Sequence, residues 1–341
     1  MLRITHILYF VLFNLCLLSL HGHANNFRYY TISEGLSVNA VYSIMQDSKG
    51  RMWFGTIDGL HSFDGNQIQV WRDSQVKTLG PCIYTVFEHE QQLYVGSDEG
   101  LSVFNLCMES FSEFDVRTEA GEGIRTPVRQ VTKDSKGNLW ISTFGQGVFR
   151  FDVRQGKLYQ YVSPGKSISD FVYSVTEDSS GTIWLATQDA GIGRYIPSKD
   201  VFQPIASNTV KSIRVIFEDS RNNLWAGSNT EGLFRLDKSK KQLVSAVKPF
   251  GVNRPLQVRK IVEKGIGVLL FASDEGLTEY DTNTGTVTSL KVDSRHPDGL
   301  NDNYLHELFF DREGSLWIGT YFGGVNYVSA TGDNYKHYNR K

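Results

Sequence analysis

Apolar and polar positions alternate along this chain in short runs, and the runs recur. A strand-like stretch such as Val41-Tyr42-Ser43-Ile44-Met45 leads into the polar Asp47-Ser48-Lys49-Gly50. A run headed by Trp53 follows, then a loop ending at Gly59. A third run, Leu60-His61-Ser62-Phe63-Asp64, and a fourth, Gln67-Ile68-Gln69-Val70-Trp71, complete the unit. Turn signals every ~8 to 12 residues, without an apolar stripe of helical period, predict antiparallel strands and disfavour helical solenoids.

Aligning the chain with itself sets the architecture. Five of the six Trp fall at one phase: Trp53-Phe54-Gly55-Thr56, Trp140-Ile141-Ser142-Thr143, Trp184-Leu185-Ala186-Thr187, Trp225-Ala226-Gly227-Ser228 and Trp317-Ile318-Gly319-Thr320. Tyr94-Val95-Gly96-Ser97 and Leu270-Phe271-Ala272-Ser273 are degenerate copies, and successive copies lie 41, 46, 44, 41, 45 and 47 residues apart. Four strands in about 44 residues is the size of a propeller blade, so seven copies predict an all-β, seven-bladed β-propeller of four-stranded antiparallel blades. Length alone, 341 residues, suggests about two domains; the repetition replaces that estimate with one ring over residues 25–341. Asp-x-x-Gly turns precede four of the Trp strands, with Asn222 in place of Gly after Asp219, because the closing residue adopts positive φ. The small third residue of each Trp-type strand leaves room for a neighbouring sheet. Phe27–Tyr30 and Tyr335–Tyr338 both resemble fourth strands, giving eight candidates for seven places. The expected solution is that the N-terminal one completes the last blade, leaving the C-terminal one surplus, as the start of a further array.

Composition narrows the function. Lys and Arg number 35 against 37 Asp and Glu, without the basic excess that a dedicated nucleic-acid binder needs. Residues 1–24 read as a cleaved secretory signal: Arg3 is followed by the apolar Ile7–Leu20, and Gly22 and Ala24 precede a cleavage site at Asn25. That stretch is shorter than the roughly 20 residues of a membrane span, and the expected location is the periplasm.

These residues resemble the two-component regulator propeller family, the periplasmic sensor region of hybrid two-component systems and related sensor kinases and diguanylate cyclases. The resemblance is carried by Gly35-Leu36-Ser37-Val38-Asn39-Ala40-Val41-Tyr42-Ser43-Ile44, Asp47–Thr56 and Gly59–Asp64, and it runs through all seven repeats. It implies a non-catalytic sensory module that recognises a carbohydrate or other small solute and, after homodimerisation, signals through a membrane kinase or cyclase. None of the eight His lies in a kinase phosphoacceptor motif, and no cyclase or ATP-binding motif occurs. The output partner is therefore expected either further along a longer chain or in a separate membrane protein. No cofactor and no metal are expected.

The innermost strand of each blade faces the central channel, and its second residue lies near the mouth. Those residues are Tyr42, Tyr84, Arg129, Tyr173, Arg214, Arg259 and His306. Guanidinium, phenol and imidazole groups together suit a polyol or an acidic sugar; the competing reading is that they fill the mouth and bind only water. Phe144 and Tyr321 are weaker candidates on the same face. Two further classes stand beside the sensor: a propeller carbohydrate-active enzyme (lyase or glycosidase), and a protein-interaction scaffold, which predicts a flat apolar patch instead of a polar cavity. The recurring Asp-x-x-Gly turns differ from a sialidase Asp box, where one residue separates Asp from Gly. Acidic loop residues such as Asp58, Asp98, Asp189 and Asp274 occur one per blade, too dispersed to share a calcium ion.

Cys82 precedes the first strand of its blade and Cys107 follows the third. These points lie at opposite ends of a sheet, separated by roughly 17 Å, whereas a disulfide needs Cα atoms within about 7 Å. Two free thiols are expected, and intact-mass analysis after alkylation without reductant should show both labelled; one intramolecular disulfide would contradict the assignment.

Overall fold

The computed structural model describes residues 27–330 apart from 206–209, 238, 240, 249–254, 296 and 297. The signal-like segment 1–24 and the candidate strand Tyr335–Tyr338 lie outside the described residues. Seven four-stranded antiparallel sheets stand side by side in a ring. Blade 1 runs Val41–Gln46, Met52–Thr56, Gly59–Phe63 and Ile68–Trp71 from the axis outward, and blades 2 to 6 repeat that meander. Blade 7 takes its three inner strands from Leu305–Phe310, Leu316–Thr320 and Val325–Val328, and its outermost from Phe27–Tyr30, which pairs Phe27 with Val328 and Tyr30 with Val325. The ring is thus fastened through one composite blade.

Seven apolar clusters match the seven blade interfaces. Trp140, only 1% exposed, packs with Val172 and Val175 of the following blade; Trp53 with Ile83 and Val86; Trp317 with Val41 and Ile44. Tyr94 and Leu270 take the Trp place in the degenerate blades. Each sheet therefore buries both faces on neighbours, which an isolated four-stranded sheet cannot do. The small third residue of the second strand permits this approach: a Cβ on Gly96 would lie 2.6 Å from Val128 of the next blade, and one on Gly227 2.7 Å from Val258.

The Asp that opens each regular turn does more than cap it. Asp134 accepts the Lys136 and Asn138 amides through Oδ1, at 3.0 and 2.8 Å, and the Trp140 indole N–H through Oδ2 at 2.9 Å. Asp47, Asp178, Asp219 and Asp311 hold Trp53, Trp184, Trp225 and Trp317 in the same way. One residue further on, Ser48 donates its amide and hydroxyl to Glu88 of the next blade, both at 2.6 Å; Ser135 and Glu177, Ser179 and Glu218, and Ser220 and Glu263 repeat the clasp. Across the composite blade the Arg312 amide donates to Gln46 instead.

Asp134→Ala leaves a buried indole N–H and two turn amides without their acceptor, and is expected to lower unfolding free energy by roughly 2 to 3 kcal/mol. Ser135→Ala removes only an exposed hydroxyl of the clasp and is expected to cost less than about 1 kcal/mol. Equilibrium urea unfolding of both variants checks the ranking; equal losses would contradict the role given to the carboxylate.

Candidate functional site

Each of the seven innermost strands carries a register shift at its second residue. Val41 pairs with Thr56 and Ser43 with Gly55, so Tyr42 is left without a partner across the sheet. The same shift occurs at Tyr84, Arg129, Tyr173, Arg214, Arg259 and His306. A bulge bends its strand and re-aims the extra residue. Repeated around a ring, it brings all seven side chains to the lining of one axial cavity of about 440 Å³.

The seven make an almost continuous circuit. The Tyr42 ring lies 4.7 Å from His306, edge-on, and 5.6 Å from Tyr84. The Arg129 guanidinium sits 4.0 Å from the Tyr84 ring centre and 5.0 Å from that of Phe144, which in turn packs 5.3 Å from Tyr173. Arg214 lies over Tyr173 at 5.2 Å. Arg259 donates to Gln257 Oε1 and, at 3.3 Å, to the Leu305 carbonyl oxygen. Tyr321 packs against both Tyr42 and His306, and Phe322 and Tyr304 carry that aromatic wall out to the rim, where they are 63% and 49% exposed. Phe144 and Phe171 form a second aromatic pair on the opposite side of the ring.

A second layer lies one residue deeper: Ser43, Thr85, Gln130, Ser174, Val215, Lys260 and Glu307 also line the cavity, with Phe87, Phe217 and Phe309 below. Lys260 and Glu307 form an ion pair of 2.7 Å across the interface of blades 6 and 7. Sequence reasoning missed this layer, although its signal, a mostly polar third residue in the innermost strands, was present.

Burial and like charge dominate the electrostatics. Burial, reinforced by Arg259 and Arg129, lowers the Arg214 guanidinium to about 10, where it remains charged at neutral pH. Burial, with Arg259 and Arg214 adding to it, lowers His306 to about 3. Burial raises Tyr84 to about 12 and also raises Tyr42, so both phenols stay protonated. Burial raises the Glu307 carboxyl against the opposing pull of Lys260. The buried Cys82 thiol, beside Tyr84, is likewise raised by burial, and Cys107 is an exposed free thiol 2.9 Å from Gln91 Oε1. Among the described residues no three His, Cys, Asp or Glu side chains are grouped as a metal site requires, and no helix is long and apolar enough to cross a membrane.

At the mouth, then, stand three guanidinium groups, neutral phenols and a neutral imidazole, able to donate several hydrogen bonds and to stack on a ring. His306 sets a pH dependence. Its folded pKa lies below the ordinary 6.5, so the stability it contributes is present above that value and is lost as pH falls from about 6.5 towards 3. His306→Gln should flatten that part of the stability–pH curve, and NMR should show no protonation of His306 between about pH 8 and 5; a midpoint above about 6 would contradict the burial.

Residues 35–58, 166–189 and 299–322 match the family described as two component regulator propeller. The fold is similar to that of the extracellular domain of the putative hybrid two component system BT4673 from B. thetaiotaomicron, with a TM-score of 0.77 and 25% identity over 89% of this chain and 40% of that one. It is also similar to that of BT3049 from the same organism, with a TM-score of 0.76 and 22% identity over 90% and 42%. Streptogramin B lyase shares the fold at 15% identity, with a TM-score of 0.66 over 90% and 99%. Histidine kinase P4 of Formosa agariphila is 38% identical over 66 residues, 19% of this chain and 5% of that protein. The chain thus spans well under half the length of the sensor domains it resembles. Three repeats that match this family model, on a seven-bladed propeller that shares its fold with the extracellular domains of such systems, make the chain similar to the two component regulator propellers.

Proposed function

We propose that this propeller is the periplasmic, non-catalytic recognition head of a two-component-type signalling system. It takes a carbohydrate or other small solute at the channel mouth and passes occupancy, through a homodimer, to a membrane sensor kinase or diguanylate cyclase on the same longer chain or on a separate protein. The observation that carries this reading is the convergence of seven bulged residues on one polar cavity in a propeller of the regulator type. A pocket of roughly 300 to 1,000 Å³ with a few convergent polar groups is the usual form of a small-ligand site. The chain also shares its fold with streptogramin B lyase, but fold does not imply reaction.

Calorimetry against a panel of glycans and small solutes tests the reading. One or more should bind at one per chain, without turnover, and combined Arg129→Ala, Arg214→Ala and Arg259→Ala should reduce affinity at least about tenfold, the effect of one lost charge-assisted hydrogen bond. Binding unaffected both by the triple change and by combined Tyr42→Ala and His306→Ala would remove the channel site, and product formation from a bound glycan would make the protein an enzyme.

A further inference from the structure

The charges around the axial cavity do not balance. Lys260 and Glu307 neutralise each other at 2.7 Å, which leaves Arg129, Arg214 and Arg259 with no carboxylate among the described lining residues. Arg259 at least donates to protein oxygens, and Asp274 and Asp302 act on it from nearby. Arg129 and Arg214 stack on aromatic rings, and among the described residues neither makes an ion pair or a hydrogen bond; Arg129 Nε is buried without an acceptor. Mutual repulsion among the three guanidinium groups and the buried, unpartnered Arg129 Nε both oppose folding. An arrangement kept at that cost is relieved by a bound anion.

The geometry around the three arginines specifies the anion further. A guanidinium offers a planar fork that matches a carboxylate through two parallel hydrogen bonds. The aromatic wall from Tyr42 through Tyr321 and Phe322 to Tyr304 runs from the ring of bulged residues out to the rim, each ring set edge-on to the next, giving an apolar aromatic surface beside the charge. A small dicarboxylate or an inorganic anion would make no use of it, whereas a sugar ring bearing a carboxylate uses both. Resting on the proposed solute-recognising channel, we infer that the cavity is a uronate site: Arg129, Arg214 and Arg259 hold the carboxylate, and the aromatic wall takes the sugar face.

The test is calorimetry on the whole chain with glucuronate, galacturonate, mannuronate and their short oligomers, set against glucose, galactose and mannose, and against citrate and inorganic sulfate. A uronate should bind at one per chain and at least tenfold more tightly than its neutral counterpart. Arg214→Gln and Arg129→Gln should each weaken it roughly tenfold to a hundredfold, and Arg214→Lys, which keeps the charge but not the fork, should fall between. Thermal unfolding separates binding from folding: without ligand, Arg214→Gln should melt at or above the parent temperature, because one of three like charges is gone, and should lose the stabilisation that the uronate gives the parent. Citrate or sulfate binding as tightly as the best uronate would overturn the sugar assignment. No uronate binding at millimolar concentration would overturn the inference outright. A neutral glycan that binds in the channel and ignores the arginine changes would overturn the carboxylate but leave solute recognition standing, whereas loss of all channel binding would remove both.

Discussion

A sheet with two apolar faces persists only between two others, and in this ring the fastening of one sheet to the next starts from a single carboxylate. In five blades the turn Asp orders its own hairpin, anchors the indole that packs on the next blade, and presents a neighbouring residue that reaches that blade through hydrogen bonds. Its absence is as informative as its presence. Blades 2 and 6 lack the Asp, and the blades that follow them carry Lys133 and Phe310 where the others offer Glu88, Glu177, Glu218, Glu263 or Gln46. Donor and acceptor are missing together. At the interface of blades 6 and 7 the polar link moves inward, to Lys260 and Glu307 in the channel; between blades 2 and 3 it is Arg129 over Tyr84. The less regular outer fastenings therefore coincide with charged residues near the axis.

The site follows from the same repetition. Blade packing holds the innermost strands around the axis, and the register shift in each turns its second residue inward. The fold supplies seven equivalent places, and the side chains at those places break the symmetry. Tyrosines and His306 on blades 1, 2 and 7 form a neutral aromatic arc, while Arg214 and Arg259 on blades 5 and 6 form a cationic one, with Arg129 facing them from blade 3. Such division of labour between a rigid scaffold and variable side chains is how one architecture serves many recognition tasks.

Much of this was legible in the chain before any coordinates. The spacing of Trp, the Asp-x-x-Gly turns and the small third residue each state a local requirement, and together they specify blade and ring. The residues of the axial cavity could be named because they share one phase of the repeat. The Asp–Trp hydrogen bond was not foreseen, since a turn Asp has a sufficient local role in capping amides and nothing in its spacing marks a second acceptor oxygen as engaged. The clasp between Ser135 and Glu177 joins residues about one repeat apart, and it emerges only once adjacent blades are known to touch at that height. The bulges are silent in sequence because Val-Tyr-Ser or Val-Arg-Gln carries no Gly or Pro to mark them. Two segments matched the pattern of an outermost strand, and long-range pairing of Phe27–Tyr30 with Val325–Val328, a contact no local signal encodes, fills that place in blade 7.

The central claim is that the bulged residues form a ligand site whose unpaired guanidiniums await an acid group. A crystal structure of the protein with a bound uronate tests it most directly. The account predicts density for one carboxylate within hydrogen-bonding distance of Arg129 and Arg214, with the sugar ring lying against Tyr321. Density for the sugar on the outer surface of the blades, with only water between the arginines, would contradict it.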